Sequence, residues 1–352
     1  MASSRDTLHE IQHLRAIAVL LVIIAHLHQA NVRFFQESIL GDFAFIGFAG
    51  VDIFFVVSGF IIHHLYGERS GLDVRFLLSR VNRIFPLYWV FTAIALLGYL
   101  VMGDSLESDA SDRNIVGSLA LIPLGHPPLL SVGWTLTHEL YFYLIYGLVL
   151  TLPPRFRAIA AVAWAVMTIA VMAMPEAPAN PWIALAASPF NLLFLAGVLL
   201  AQFSNRLRQM RWASFLAVVI ATGFAVFTAA QGGFDSFVPV SSRVLAYGPF
   251  AIAIVWVFIT WKPALPRLME EIGDASYSIY LSHILVISVM ARAGAALLGG
   301  GVVSGAMFYL GTLLACLVFG MLSFRFLERR LLSGGKHLIG RLLAARQEDA
   351  PN

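Results

Sequence analysis

Long apolar runs, repeated from one end of the chain to the other, constrain its fold more than any single motif. Hydrophobic residues make up 59% of the sequence and charged residues only 12%, about half of the roughly 25% found in soluble domains. A helix needs about 20 predominantly apolar residues to cross the hydrocarbon core of a bilayer. Because such stretches fill nearly the whole chain, the sequence predicts an all-α, polytopic helix bundle that uses the lipid bilayer as its solvent.

About ten spans of this length can be placed along the chain. They are expected near residues 11–30, 43–66, 84–102, 131–151, 157–174, 182–203, 212–230, 243–261, 276–298 and 302–326. A weaker run at 115–124 contains Pro123 and is predicted to be a re-entrant or surface segment. The expected transmembrane domain therefore covers residues 1–332, and residues 333–352 form a short cytoplasmic tail.

The positive charges predict the orientation of these spans, because Lys and Arg collect on the cytoplasmic side of membrane proteins. With the N-terminus inside, nineteen of the 23 Lys and Arg residues fall on the cytoplasmic side of ten spans. The four on the outer side are Arg33, Arg113, Arg243 and Arg292. This asymmetry predicts that both termini are cytoplasmic.

The first span carries an arginine and a histidine in the stretch HLRAIAVLLVIIAHLH. Arg15 and His26 are separated by eleven helical steps, which leave a net rotation of roughly 20° and a rise of about 16 Å. If Arg15 marks one water interface, His26 lies near the bilayer midplane, where an ionisable side chain is costly and is a functional candidate. An imidazole, with its ordinary pKa of about 6.5, suits a general base at neutral pH. The alternative is an interhelical hydrogen bond that serves packing.

Three more ionisable side chains are expected at a similar depth, roughly 10 to 15 Å from a membrane edge. Asp52, Glu139 and His283 come from three different spans, and the simplest packing joins them with His26 around a buried polar cavity. Asp52 or Glu139 on the second nitrogen of His26 would fix its tautomer and stabilise its imidazolium. Structural roles stay open for both carboxylates, and Glu139 is in helical register with Tyr143, four residues later.

Two further patterns suggest binding surfaces. Arg80 and Arg83 lie three residues apart at the cytoplasmic start of the third span, where they suit a clamp for the phosphates of a nucleotide-like donor. An ordinary positive flank is the alternative. Ser276, Tyr280 and His283 form one polar stripe within about 60° of a helix surface, which indicates either a pocket wall or interhelical hydrogen bonding.

Several classes of function lack their motifs here. The chain has no Walker-type loop, no dinucleotide-binding glycine pattern and no G-x-S-x-G elbow. A single cysteine and the absence of metal-ligand spacing predict no metal site, and the net charge of +3 gives no indication of nucleic-acid binding. A proton-coupled secondary transporter or a sugar-lipid flippase stays open, because midplane His, Asp and Glu also suit a proton relay.

Five stretches in the same order resemble the acyltransferase-3 family of integral membrane acyltransferases. They are HLRAIAVLLVIIAH, GVDIFFVVSGF, SRVNRIFPLYW, WTLTHELYFY and SYSIYLSH. Within the family the chain is most similar to the exopolysaccharide O-acetyltransferases. The resemblance runs from residue 11 to about 283, and ten spans match the family architecture.

The resemblance implies an enzyme of the bacterial inner membrane. Its donor would be cytoplasmic acyl-CoA, usually acetyl-CoA, with no permanently bound cofactor, and its acceptor a hydroxyl of a polysaccharide or lipid-linked sugar. His26 would be the catalytic residue, and Glu139 would belong to the same site. Arg15, Arg80 and Arg83 would be essential polar residues on the donor side.

Overall fold

A computed structural model describes residues 9–69, 74–102, 114–176, 178–231 and 240–348 of the chain. Arg5 and Arg113, which entered the charge count, and the last four residues of the expected tail lie outside these ranges. Every regular element within them is helical. The prediction of an all-α bundle is therefore confirmed for the described residues.

Fifteen α-helices follow one another in this part of the chain. They are α1 His9–Phe35, α2 Ala49–Tyr66, α3 Val74–Met102, α4 Ile115–Leu119, α5 Trp134–Thr151, α6 Pro154–Met172, α7 Pro181–Ala186, α8 Phe190–Gln202, α9 Ser204–Leu207, α10 Arg211–Gln231, α11 Val240–Trp261, α12 Arg267–Asp274, α13 Ser276–Leu298, α14 Val302–Ser323 and α15 Arg329–Glu348. Short 3₁₀ segments, Gly41–Phe48 and Ser131–Gly133, precede α2 and α5, and a π segment, Phe324–Glu328, joins α14 to α15.

Nine helical runs within the described residues are long and apolar enough to cross a membrane. They are His9–Phe35, Gly41–Tyr66, Val74–Val101, Pro154–Met172, Pro181–Gln202, Arg211–Gln231, Val240–Trp261, Ser276–Leu298 and Val302–Leu343. The remaining expected span is present as α5, which is less apolar because it carries His138 and Glu139 among its 18 residues.

The third span differs from its expected boundary, whereas the run at 115–124 agrees with the prediction of a segment that does not cross the bilayer. Helix α3 begins ten residues before the predicted start of its span and continues through Pro86. The run at 115–124 forms only the five-residue α4, capped by the Asn114 side chain on the backbone amide of Gly117, which is far too short to span a bilayer. Residues 333–348 of the expected tail continue as α15.

The chain divides into two compact units. The first unit comprises residues 1–68 and 188–321, and the second comprises residues 69–187 and 322–352. In the first unit α1 packs against α2, α11, α12 and α13, and in the second α3 packs against α5 and α15. Each of the four predicted mid-membrane ionisable residues can thus be assigned to a unit: His26, Asp52 and His283 to the first, and Glu139 to the second.

Two glycines allow α2 and α8 of the first unit to cross closely. A β-carbon on Gly59 of α2 would overlap the carbonyl oxygen of Phe194, and one on Gly197 of α8 would overlap that of Val56. Only glycine permits the two backbones to approach so closely. Gly59 and Gly197 therefore serve the close packing of α2 against α8.

Candidate functional site

His26 is held by its own helix. Its Nδ1 lies 2.9 Å from the carbonyl oxygen of Val22, one turn earlier in α1. A carbonyl oxygen can only accept, so Nδ1 carries the proton in this contact, and Nε2 of the neutral ring keeps its lone pair. His26 as a residue is partly buried.

His283 lies against His26. The ring centroids are 5.0 Å apart and the planes meet at 71°, edge to face. The Nδ1 of His283 contacts the carbonyl oxygen of Tyr280 at 2.5 Å, so this ring is fixed in the same tautomer as His26. His283 is fully buried, and its Nε2 has no hydrogen-bond partner among the described residues. Two of the predicted mid-membrane groups are therefore in contact.

Asp52 is engaged by an arginine rather than by His26. Its Oδ1 lies 3.3 Å from Nη2 of Arg243, and the carboxylate is fully buried. The same Nη2 donates to the carbonyl oxygen of Phe48 at 3.0 Å. The expectation that a carboxylate orients His26 through its second nitrogen is wrong for Asp52, because the permanent charge of an arginine is the stronger partner for a buried carboxylate. The carbonyl of Val22 holds the second nitrogen instead.

Arg243 was missed as a site residue by sequence reasoning, which counted it as an outer flank. It lies in the first turn of α11, and its guanidinium also faces the rings of Phe48 and Phe190 at 5.6 and 5.3 Å. The sequence does show an arginine one turn before Tyr247 within the apolar stretch VSSRVLAYGPF, a pattern that indicates an interior role for Arg243. Sequence alone does not tell which helix such an arginine contacts.

Phe48 links the ion pair to the histidines. Its ring centroid lies 5.6 Å from that of His26, edge to face, and Arg243 binds its carbonyl oxygen and stacks near its ring. Phe48 also belongs to a buried apolar cluster with Ala25, Phe45, Ala49 and Tyr247. The surroundings of His26 are therefore largely apolar, which strengthens electrostatic interactions at the ring.

The predicted polar stripe of α13 reaches His26 through His283. Tyr280 is buried, and its ring lies 5.6 Å from that of His283 and 5.9 Å from that of Phe54. Ser276 is fully buried as well, with no hydrogen-bond partner for its Oγ among the described residues. The stripe is thus interior, and its assignment as a substrate pocket stays a prediction.

Arg15 lies on α1 with His26, as the spacing predicts, because α1 is continuous from His9 to Phe35. Its Nη1 donates to Oε1 of Gln12 at 2.9 Å, and the side chain is partly exposed. Arg15 and His26 are therefore about 16 Å apart along one helix axis.

The other predicted site residues lie in the second unit, where two clusters contain them. Tyr143 donates a hydrogen bond to Oε1 of Glu139, one turn earlier in α5. The guanidinium of Arg80 faces the rings of Phe76 and Tyr143 at 5.9 and 5.8 Å. Glu139 is thus hydrogen-bonded to Tyr143, and the guanidinium of Arg80 lies over the Tyr143 ring.

Arg83 forms an ion pair with Glu328, whose side chain is 1% exposed. Glu328 is therefore an interior residue, with its carboxylate buried against α3. Arg80 has no ion pair within the described residues, and its Nε donates a 3.4 Å hydrogen bond to Oγ of Ser79. Arg80 therefore has more of its charge available for an anion than Arg83 has.

The first-unit site can accept a proton at a buried position and offers no cluster of metal ligands. Among the described residues, no three His, Cys, Asp or Glu side chains gather as a metal site would require. The Nε2 lone pair of His26 is suited to take a proton from a hydroxyl, which is the task of a general base.

Comparison with known proteins points to one class of enzyme. The family model described as an acyltransferase domain matches residues 8–325. The exopolysaccharide production protein ExoZ of Rhizobium meliloti (strain 1021) is 32% identical over 83% of this chain and 91% of its own length. Nodulation protein 10 of Rhizobium leguminosarum bv. viciae is 27% identical over 70% of this chain and 73% of its own length.

A third relative is considerably longer. YrhL of Bacillus subtilis (strain 168), provisionally named a peptidoglycan O-acetyltransferase, is 29% identical over 78% of this chain and 48% of its own length. No solved structure matches the chain significantly.

Proposed function

The chain belongs to the acyltransferase-3 family, and from this premise we propose that it is an O-acetyltransferase that modifies an exported or cell-surface polysaccharide. That it is a multi-pass membrane acyltransferase follows from the family and from its apolar helices. The proposal further specifies acetyl-CoA as the cytoplasmic donor, a sugar hydroxyl as the acceptor, and the bacterial inner membrane as the location. The resemblance inferred from the five sequence stretches is confirmed by the family match over residues 8–325.

The names of the relatives support a polysaccharide acceptor. ExoZ is named for exopolysaccharide production, and its match covers nearly all of both chains. YrhL is provisionally named for O-acetyl transfer to peptidoglycan, another glycan. The two names share a glycan, and the name of YrhL adds O-acetyl transfer.

The observation that carries the proposal is the state of His26, whose Nδ1 is occupied by a carbonyl and whose Nε2 lone pair is free for a proton. In the proposed reaction Nε2 takes the proton of the acceptor hydroxyl while the oxygen attacks the thioester carbonyl. The carbon–sulfur bond then breaks, the thiolate of CoA takes the proton from the imidazolium, and the sugar ester leaves. The histidine ends in its starting state. A transient acyl group on Nε2 is the alternative order of steps.

Arginines are proposed to hold the donor. CoA carries phosphates, and guanidinium groups bind phosphates through paired hydrogen bonds. Of the three arginines predicted for this role, Arg80 has no carboxylate partner among the described residues, so its charge is available for a phosphate. Arg83 shares its charge with Glu328, and Arg15 donates to Gln12.

The test is acetyl transfer from radiolabelled acetyl-CoA into cell-surface glycan by membranes that hold equal amounts of wild type or His26→Ala. His28→Ala is the matched control, because His28 is a buried histidine on the same helix whose ring faces Phe45. Label with wild type and His28→Ala, and none with His26→Ala, is expected. Equal label with His26→Ala removes this residue from the chemistry. Transport of a sugar lipid into proteoliposomes without CoA release would overturn the proposed function.

A further inference from the structure

Each of the two contacting histidines keeps a lone pair on Nε2 when its ring is neutral. In each ring Nδ1 is bound to a carbonyl of its own helix, Val22 for His26 and Tyr280 for His283. Because Nδ1 of each ring contacts a carbonyl of its own helix, Nε2 is the ring nitrogen that stays available for another partner. The rings meet edge to face at 5.0 Å, so the two imidazoles lie side by side between α1 and α13.

The lone pair of His283 needs a donor. The residue is fully buried, and its Nε2 has no partner among the described residues. A buried acceptor left unsatisfied is unfavourable, so such an atom is normally completed by a ligand, an ordered water or another side chain.

The neighbouring groups do not supply that donor. His26 faces His283 with an acceptor of its own when its ring is neutral, because its proton is on Nδ1. Cys316 donates to the backbone oxygen of His283 and not to the ring, at 3.8 Å. The carboxylate of Asp52 is an acceptor and is engaged by Arg243. A bound molecule with two donors therefore fits the pair.

We propose that His283 Nε2 accepts a hydrogen bond from a second hydroxyl of the acceptor sugar, next to the hydroxyl that His26 deprotonates. The acceptor class is then a vicinal diol: one hydroxyl is acylated and the hydroxyl on the adjacent carbon stays free. This inference rests on the proposed function and adds the substrate class of the same site. His283 binds substrate in this arrangement and takes no part in the transfer of the proton.

The proton balance is the same as in the single-base reaction. The reacting hydroxyl gives its proton to Nε2 of His26, and that proton goes on to the CoA thiolate. The second hydroxyl keeps its proton and shares it with Nε2 of His283 throughout. No oxidant, reductant or further reactant is required.

The first experiment maps the product of the wild-type enzyme. The polysaccharide of the cells that make this protein is de-O-acylated with mild base, re-acetylated by wild-type membranes with acetyl-CoA, and analysed by two-dimensional NMR. The acetylated carbon is expected to have a neighbour with a free hydroxyl. Acetylation at a carbon whose neighbours are all linked, deoxygenated or otherwise substituted overturns the diol assignment. Absence of any transfer by wild type would instead contradict the proposed function.

The second experiment compares variants of His283 with the same de-O-acylated polysaccharide. His283→Leu removes the acceptor atom, whereas His283→Gln places an amide oxygen near the position of Nε2. The KM for polysaccharide is expected to rise roughly tenfold in the leucine variant, as for the loss of one hydrogen bond, and to return toward wild type in the glutamine variant. The KM for acetyl-CoA should stay unchanged in both.

Cys316→Ala is the matched control, because Cys316 contacts the backbone of His283 without touching its ring. It should behave like wild type. A fall in kcat of His283→Leu with no change in the polysaccharide KM would overturn the inference, as would wild-type kinetics. If His283→Leu does not fold, the glutamine variant and the product map decide: a substituted neighbour carbon still overturns it.

Discussion

The imidazole rings of His26 and His283 contact each other edge to face, with centroids 5.0 Å apart, although they come from the first and thirteenth helices of the chain. Each ring is oriented by a carbonyl within its own helix. The pair is therefore assembled by helix packing, while the orientation of each member is local. The orientation of each ring therefore depends on its own helix, whereas the contact between the rings depends on the packing of α1 against α13.

Breaking the ion pair between Arg243 and Asp52 should destabilise the first unit. Arg243→Ala leaves the carboxylate of Asp52 buried without the partner that it has now, which costs about 3–5 kcal/mol for a buried pair. The measurement is thermal unfolding of the purified protein in detergent. The double variant Arg243→Met with Asp52→Leu should regain much of the loss, since no charge is left buried. Equal instability of the single and double variants would contradict this account.

Arg80 and Arg83 should respond differently to replacement by alanine. Arg83→Ala removes the ion-pair partner of the buried Glu328 and should lower the yield of folded protein. Arg80→Ala removes a guanidinium that no carboxylate engages within the described part of the chain, so the fold should persist while acetyl-CoA binding weakens roughly tenfold. Size-exclusion chromatography and calorimetric titration with acetyl-CoA separate the two effects.

Two outcomes would contradict the division of roles between these arginines. Unchanged acetyl-CoA affinity in Arg80→Ala would remove the phosphate contact from this residue. Normal folding of Arg83→Ala would show that Glu328 does not need it. As a check, Arg83→Ala combined with Glu328→Gln should fold better than Arg83→Ala alone, because the amide is neutral.

Alanine at Gly59 or Gly197 should prevent normal packing of α2 against α8. The added methyl group would overlap a backbone carbonyl of the opposite helix at either position, and a backbone cannot move aside as a flexible side chain can. Gly311→Ala on α14 is the matched control, because open space surrounds its position. That control should be neutral or more stable by roughly 0.5–1 kcal/mol. Fluorescence-detected chromatography of tagged variants reports the folded fraction.

Both ends of the chain should be on one side of the membrane if α5 crosses it. The helix has 18 residues and a length of about 27 Å at 1.5 Å per residue, close to the roughly 30 Å core. With the nine more apolar runs this makes an even number of crossings. Epitope tags at the two termini should be protected from external protease in intact spheroplasts. Cleavage of one tag only would show that α5 does not cross.

Much of the fold could be predicted because apolar length and helical periodicity are local properties. The spans, the shared stripe of Arg15 and His26, and the register of Glu139 with Tyr143 needed only the sequence within one helix. The partners of Asp52 and Arg83 did not follow, because nothing local distinguishes Arg243 or Glu328 from an interfacial flank. Both side chains became interior only through packing against a distant helix.

The expected membrane depths correctly predicted that His26 and His283 lie at one level, since ionisable groups in a membrane gain from a shared polar location. The prediction of a carboxylate partner for His26 was wrong for Asp52, because it took for granted that a side chain orients the imidazole, whereas the carbonyl of Val22 does so. A turn of helix provides a carbonyl at the required position for any histidine whose ring folds back on it, so the orienting group carries no sequence signal. The assignment of catalytic roles to Asp52 and Glu139 stays a prediction.

The hydrogen bond from His26 to Val22 also affects the order in which the site forms during membrane insertion and the way in which related proteins diverge. It closes within a single turn, so the tautomer of the proposed base is set once the first segment has formed a helix, before α13 has been synthesised. In the proposed site, the helices that form later contribute the surroundings of the sugar. On that proposal, changes in those later helices alter which glycan is modified while the histidine and its tautomer are kept.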